Sequence, residues 1–75
     1  NMSLLEKIIY IADLIEPGRT FKGVESLRKL AYEDIDECLL LALDNTIKYV
    51  IDNKKLIHLD SIRARNQLLI QKNME

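Results

Sequence analysis

The sequence predicts an all-α fold. Apolar residues make up 48% of the chain and recur at helical spacing, and only one proline and two glycines interrupt them. Two segments, Ser3-Leu4-Leu5-Glu6 and Asp34-Ile35-Asp36-Glu37, have the pattern of a capping box, in which a helix-start side chain and a Glu three residues later satisfy free backbone N–H groups. No stretch shows the alternation of apolar and polar residues typical of a strand. We therefore expect four helices.

The first helix is predicted over about Leu4–Ile15. It begins after Ser3 and ends before Pro17, because the proline ring disfavours a helical conformation at Glu16. Its apolar residues wrap most of the circumference and are Leu4, Leu5, Ile8, Ile9, Ile11, Ala12 and Ile15. A helix this apolar needs neighbours on several sides.

Three further helices are predicted, over about Val24–Tyr32, Ile35–Asp52 and Ser61–Gln71. Asp60 is expected to cap the last of them, after a connector over 54–59. The predicted inward-facing residues are Val24, Leu27, Leu30 and Ala31, then Ile35, Cys38, Leu39, Ala42, Leu43, Thr46 and Val50, and finally Ile62 and Leu69, with Arg65 as a further candidate for the face they share.

Size and charge narrow the possible functions. Seventy-five residues form at most one domain, and a chain this short is marginally stable alone. The net charge of -1 gives no bulk attraction to nucleic acid or to an anionic membrane, so we expect neither partner. No apolar run approaches the roughly 18 residues that a membrane span needs. A single cysteine cannot form an internal disulfide, which fits a cytoplasmic protein.

Asp13 is the residue whose position stands out. It lies in the last turn of the first predicted helix, where the partial negative charge of the helix end disfavours another anion by about 0.3–1 kcal/mol. A cation would offset this effect, and a metal ion is one such cation. The alternative that stays open is a solvated acid on one polar stripe with Glu6 and Tyr10.

The segment from Lys7 to Arg19, with an arginine six residues after Asp13, resembles the last metal-ligand helix of HD-domain phosphohydrolases. The resemblance is greatest to the branch that cleaves diadenosine tetraphosphate symmetrically. It continues through most of the chain, at Phe21, Gly23-Val24-Glu25, Leu39-Leu40-Leu41-Ala42-Leu43, Asn45-Thr46-Ile47 and 57–66. It implies that the helices are the C-terminal helices of an HD-domain bundle.

The sequence departs from that family at the other metal ligands. The family has an upstream histidine and a His-Asp dipeptide, whereas this chain has one histidine, His58, and Leu59 follows it. The resemblance therefore implies that residues 1–75 are the C-terminal half of a single HD domain. The absent N-terminal half would supply the remaining ligands, and the fragment alone would be inactive.

The resemblance also implies roles for individual residues. Asp13 would be a metal ligand and not the base, holding a divalent ion for which iron is favoured and manganese or magnesium are alternatives. Such an ion lowers the pKa of water, so that water can attack the polyphosphate and release two ADP. Arg19 would bind phosphate and neutralise developing charge, although most arginines in surface turns are simply solvated. Ala12 would also contact the nucleotide.

A second predicted contact is the approach to the last helix, where free N–H groups attract anions. The resemblance implies that this segment touches the nucleotide through Leu56, Ile57, His58, Leu59, Asp60 and Ser61. Two observations oppose this interpretation. Asp60 as an N-cap would use part of the same field, and a lone histidine is more often packed or hydrogen-bonded than a ligand.

Other functions remain open. A non-catalytic helical module would dock its apolar faces on another chain, and the first helix and Leu41, which lies near the polar side of its helix, favour that hypothesis. An HD hydrolase of other nucleotide specificity is a nearer alternative. The partners expected for an enzyme are a dinucleoside polyphosphate or a nucleoside diphosphate and the absent half of the domain, and a homodimer is possible.

Overall fold

The computed structural model describes residues 2–74, and within them the chain forms four helices and no strand. These are α1 (Leu4–Leu14), α2 (Val24–Glu33), α3 (Ile35–Asp52) and α4 (Leu59–Met74). The predicted all-α class is confirmed. The limits of α3 are those predicted, whereas α1 is one residue shorter than predicted and α2 one residue longer.

The capping box predicted at the start of α1 is present. The Ser3 hydroxyl accepts a hydrogen bond from the Glu6 N–H at 3.2 Å, and the Ser3 N–H donates to Glu6 Oε1 at 2.9 Å. The bond from the Ser3 N–H, and after it an interaction with the Ser3 side chain, lower the pKa of the Glu6 carboxyl. The box therefore places the start of α1 at Leu4, as its sequence indicated.

A single residue, Asp34, separates α2 from α3. Its N–H donates to the Leu30 carbonyl at 2.7 Å, and its side chain accepts from the Glu37 N–H at 3.1 Å. Of the two bonds that make a capping box, the one in which the Asp34 side chain accepts from the Glu37 N–H is therefore present. The Glu37 carboxylate pairs instead with Lys72 of α4. Gly23, before α2, has φ of 91°, a left-handed conformation that favours glycine.

The predicted start of α4 was wrong. The helix begins at Leu59 and not at Ser61, so Asp60 lies inside its first turn and is not the N-cap. The positive end of a helix favours an acid anywhere in the first turn, so the position of an aspartate does not fix the boundary. The Asp60 carboxylate instead lies 3.6 Å from the Arg63 guanidinium, one turn along the helix.

The core lies around α3, since α1, α2 and α4 each pack against it. Its buried members are Ile11, Leu27, Cys38, Leu39, Ala42, Leu43 and Leu68. Leu68 was not predicted, while Ile62 and Leu69 of α4 are only half-buried. Leu41, which we expected to face a contact outside the chain, is half-buried against this core. Burial raises the pKa of the Cys38 thiol, which donates to the Leu27 carbonyl at 3.3 Å.

One face of α1 stays exposed. Ile11 is the buried residue of this helix, whereas Leu4 is 62%, Leu5 66%, Ile8 45% and Ile9 59% exposed. The other three helices thus cover only part of its apolar surface. Over residues 2–74 we find no helix with the length and apolar character that a membrane crossing requires.

Candidate functional site

The turn that follows α1 brings Asp13 and Arg19 together. α1 ends at Leu14, and the chain reverses through a turn in which the Arg19 N–H donates to the Glu16 carbonyl at 2.9 Å. Arg19 Nη2 lies 3.5 Å from Asp13 Oδ2. The six-residue spacing seen in the sequence therefore becomes a contact between two opposite charges.

Both members of this pair are open to solvent. The Asp13 side chain is 78% exposed and the Arg19 side chain 50%, and Ala12 beside them is also exposed. An ion pair in water at this distance contributes about 0–1 kcal/mol. A ligand that offers either group a better partner can therefore displace the contact at little energetic cost.

Arg28 of α2 contacts the same turn, and this contact was not predicted from the sequence. Its Nε donates to the Ile15 carbonyl at 3.0 Å, and its Nη2 donates to the carbonyls of Glu16 at 3.0 Å and Arg19 at 2.8 Å. Its Nη1 pairs with the Glu25 carboxylate one turn earlier. The three bonds to backbone carbonyls span 9 to 13 residues, a separation that no local pattern encodes. The signal available was that α1 must leave unpaired carbonyls at its end, which need a donor from elsewhere.

The described residues do not form a complete metal centre. Asp13 offers one carboxylate, an oxygen ligand that suits iron, manganese or magnesium. Across 2–74, no group of three or more His, Cys, Asp or Glu side chains is arranged to hold an ion. A metal at Asp13 would therefore take its other ligands from outside this part of the chain.

The second predicted contact region lies at the start of α4. Leu56 is 98% exposed, and His58 and Leu59 are also exposed. A shallow depression is bounded there by Ile57, His58, Leu59, Asp60 and Arg63. The hydrogen bonds and ion pairs found among residues 2–74 do not connect the 56–61 segment to Asp13 or Arg19. The structure thus brings Asp13 and Arg19 into contact, and among residues 2–74 it shows no bond that joins either of them to the 56–61 segment.

A groove of about 320 Å³ lies between the start of α1 and helices α3 and α4. Lys7, Leu39 and Gln71 are among the residues that line it, as is Asp60, but Asp13 and Arg19 are not. The Lys7 ammonium in this groove is already paired with Asp36 at 2.7 Å. The groove is therefore distinct from the Asp13 turn.

Comparison with known proteins shows related chains, although no family model matches. The chain is 45% identical over 71 residues to a symmetrical bis(5'-nucleosyl)-tetraphosphatase from Halalkalibacterium halodurans. It is 40% identical over 69 residues to a protein of the same description from Bacillus subtilis. The matches cover 95% and 92% of this chain but 38% and 37% of those relatives.

A solved structure supports the same relationship. A crystal structure from Clostridium acetobutylicum, described as a predicted HD superfamily hydrolase involved in NAD metabolism, superposes with a TM-score of 0.92 at 62% identity. The superposition covers 95% of this chain and 38% of that one. By sequence the chain is similar to the C-terminal part of proteins described as symmetrical bis(5'-nucleosyl)-tetraphosphatases, and by fold it is similar to that part of an HD superfamily hydrolase.

Proposed function

We propose that the chain is the C-terminal part of a cytoplasmic, metal-dependent phosphohydrolase that splits diadenosine tetraphosphate, or a similar dinucleoside tetraphosphate, into two nucleoside diphosphates. The observation that carries this proposal is the Asp13–Arg19 pair at the end of α1. The pair places an oxygen ligand for a cation beside a donor for an anion, which is what hydrolysis of a polyphosphate requires. The choice of substrate is supported by the two relatives described as tetraphosphatases, which align with this chain over 71 and 69 residues.

Asp13 holds the metal in this proposal. Its carboxylate is a hard oxygen ligand at a fixed helix end, and iron is the ion we favour, with manganese or magnesium as alternatives. Such an ion supplies Lewis-acid chemistry that activates water at neutral pH and polarises the phosphoryl oxygen. Because the described residues offer no further ligand cluster, the upstream part of the domain contributes the rest.

Arg19 holds the phosphate in this proposal. Its planar fork of donors matches a phosphate better than an ammonium would, and charge-assisted hydrogen bonds of this kind are among the strongest in proteins. A phosphate on Arg19 would lie next to the Asp13 carboxylate, because the two side chains are 3.5 Å apart. Arg19 would therefore stabilise negative charge that develops during cleavage.

The start of α4 contacts the nucleotide in this proposal. The first N–H groups of a helix lack partners inside it and attract anions such as phosphate. The exposed side chains of Leu56 and Leu59 offer apolar surface to a base, and His58, Asp60 and Ser61 offer polar atoms. Ala12 contributes a small exposed surface beside Asp13.

The exposed face of α1 receives the N-terminal half of the domain in this proposal. Full burial of one leucine or isoleucine stabilises by about 1.5–3 kcal/mol, and four such side chains on α1 are 45–66% exposed. The H. halodurans relative has the remaining 62% of its length outside the alignment, which is ample chain to cover this face. A second copy of the chain is the competing occupant.

A chimera tests the proposal. The matched C-terminal residues of the H. halodurans relative are replaced by residues 1–75, and the purified chimera is stripped of metal and assayed with Fe²⁺, Mn²⁺ or Mg²⁺. Metal-dependent conversion of diadenosine tetraphosphate to two ADP is the expected result, with no turnover by residues 1–75 alone. A folded chimera that does not hydrolyse it would refute the proposal and favour a non-catalytic module.

An HD hydrolase of other nucleotide specificity is the second candidate. It is favoured by the 62% identical structure that is described as involved in NAD metabolism. The same chimera assayed with NAD and with diadenosine tetraphosphate separates the two. A larger kcat/KM for NAD would favour this second function.

A further inference from the structure

We propose that Arg28 is a positioning residue that sets the shape of the turn carrying Asp13 and Arg19. This inference rests on the proposed function for its catalytic consequence but not for its geometry. Three backbone carbonyls of the turn, those of Ile15, Glu16 and Arg19, accept hydrogen bonds from this one guanidinium at 2.8–3.0 Å.

The exposed pair cannot fix its own geometry. Asp13 and Arg19 are 78% and 50% exposed, and an ion pair in water is weak compared with the loss of side-chain freedom it requires. The distance between them is therefore set by the backbone path from Leu14 to Arg19. Arg28 is the side chain that holds this path, and its own side chain is only 25% exposed.

The anchor of this contact is a helix that packs against the core. Arg28 lies in the middle of α2, which packs on α3 and contributes the buried side chain of Leu27 to the core. α1 packs on α3 as well, through Ile11. The guanidinium therefore joins the end of one helix to the body of another, and a turn of six residues is held at three points.

Arg28 is not available to bind substrate. Four of the five N–H donors of a guanidinium are engaged by Ile15, Glu16, Arg19 and Glu25. Its positive charge also offsets the partial negative charge at the end of α1. Arg19 is more exposed, and the polar contact found for its side chain among residues 2–74 is the ion pair with the exposed Asp13 carboxylate. The two arginines thus have different roles: Arg19 faces the ligand, and Arg28 holds the turn.

The experiment compares Arg28→Ala and Arg28→Lys with Arg65→Ala in the chimera. Lysine keeps the charge but has a single compact ammonium group in place of the planar guanidinium, so it cannot reach all three carbonyls at once. Arg65 is a matched control, because it is a partly buried arginine that pairs with Asp44 between α3 and α4. Thermal unfolding of each variant measures its general loss of stability.

A positioning role predicts that Arg28→Ala lowers kcat/KM by about 10- to 100-fold and that Arg28→Lys recovers part of the loss. Arg65→Ala, at a similar shift in Tm, should stay within about twofold of the parent in the same assay. Unchanged kcat/KM in Arg28→Ala, or losses that follow Tm equally in both alanine variants, would overturn the proposal.

Hydrogen exchange separates this inference from the proposed function. In Arg28→Ala the Arg19 amide, which bonds to the Glu16 carbonyl, should exchange at least about tenfold faster, an increase larger than that of the buried Ala42 amide in α3, which reports the global stability. This readout needs no activity. A folded chimera that hydrolyses nothing would refute the function, and faster exchange at Arg19 would still support the role of Arg28 in the turn. Equal exchange at Arg19 in parent and variant would refute that role.

Discussion

The Arg19 guanidinium and the Asp13 carboxylate lie 3.5 Å apart across the turn that ends α1. A cation bound by Asp13 and an anion bound by Arg19 would consequently be neighbours. Each ligand would also release the other side chain from its internal ion pair. Binding at one residue should therefore favour binding at the other, and by linkage the effect is reciprocal.

Asp13→Asn keeps the shape of the side chain and removes its charge. We expect metal affinity to fall and kcat/KM of the chimera for diadenosine tetraphosphate to drop at least about 100-fold, since Lewis-acid catalysis supplies several kcal/mol and each 1.36 kcal/mol is tenfold. Metal titration and steady-state kinetics measure the two effects. Asp52→Asn is the matched control, because Asp52 is likewise an exposed acid in the last turn of a helix. Equal losses in both variants would contradict the prediction.

Arg19→Lys keeps the charge and removes the planar fork. A hydrogen bond to a charged group contributes about 1.5–3 kcal/mol, so we expect kcat/KM to fall roughly 10- to 100-fold. The affinity for ADP, measured by calorimetry, should fall with it. Lys48→Ala changes an exposed cation of α3 and serves as the control. Full activity in Arg19→Lys would show that a point charge at this position is enough.

The helices could be predicted largely because their signals are local. The Ser3 box sets the start of α1 at the predicted residue, and Asp34 separates α2 from α3 through bonds to residues three and four positions away. The start of α4 was misplaced because an acid is favoured throughout a first turn. Leu68 was missed because burial in α4 depends on how that helix packs against α3, which periodicity alone does not define.

The candidate site likewise has one part that could be predicted from the sequence and one part that could not. The six-residue separation of Asp13 and Arg19 is short, so a turn beginning near Pro17 could be expected to bring them close. Arg28 reaches that turn only because α1 and α2 both pack against α3. Its role depends on tertiary packing, and so its contacts could not be derived from spacing.

Ile9→Lys tests whether the exposed face of α1 is a binding surface. Ile9 is 59% exposed, so the change should leave the helix content of residues 1–75 nearly as it was. In the chimera, where the upstream half would cover this face, we expect a loss of about 1.5–3 kcal/mol in the free energy of unfolding. Urea denaturation followed by circular dichroism measures this loss.

Tyr32→Lys is the control, since it lies at a 92% exposed position of α2 and should cause little change in either protein. A dimer of residues 1–75 that Ile9→Lys dissociates would instead favour a second copy as the occupant.

Glu6 gives the chain a predictable response to acid. Its pKa lies below the ordinary value of 4.5, chiefly because the Ser3 N–H donates to its carboxylate. As the pH falls below 4.5, the folded state therefore binds fewer protons than the unfolded state. The stability that Glu6 contributes is present above pH 4.5 and is lost as the pH falls through the pKa of Glu6 in the folded state. Glutamine at position 6 has no charge to lose, so the difference in unfolding free energy between parent and Glu6→Gln should shrink on acidification.

Urea denaturation of the parent chimera and of its variants on both sides of pH 4.5 measures this difference. Ser3→Ala keeps the backbone N–H, the larger cause of the shift, and removes only the hydroxyl, so it should retain most of the pH dependence that Glu6→Gln abolishes. A constant difference between parent and Glu6→Gln at every pH would mean that the carboxylate is not held by the start of α1. The capping box would then owe its stability to the Ser3 hydroxyl, which accepts from the Glu6 N–H at 3.2 Å.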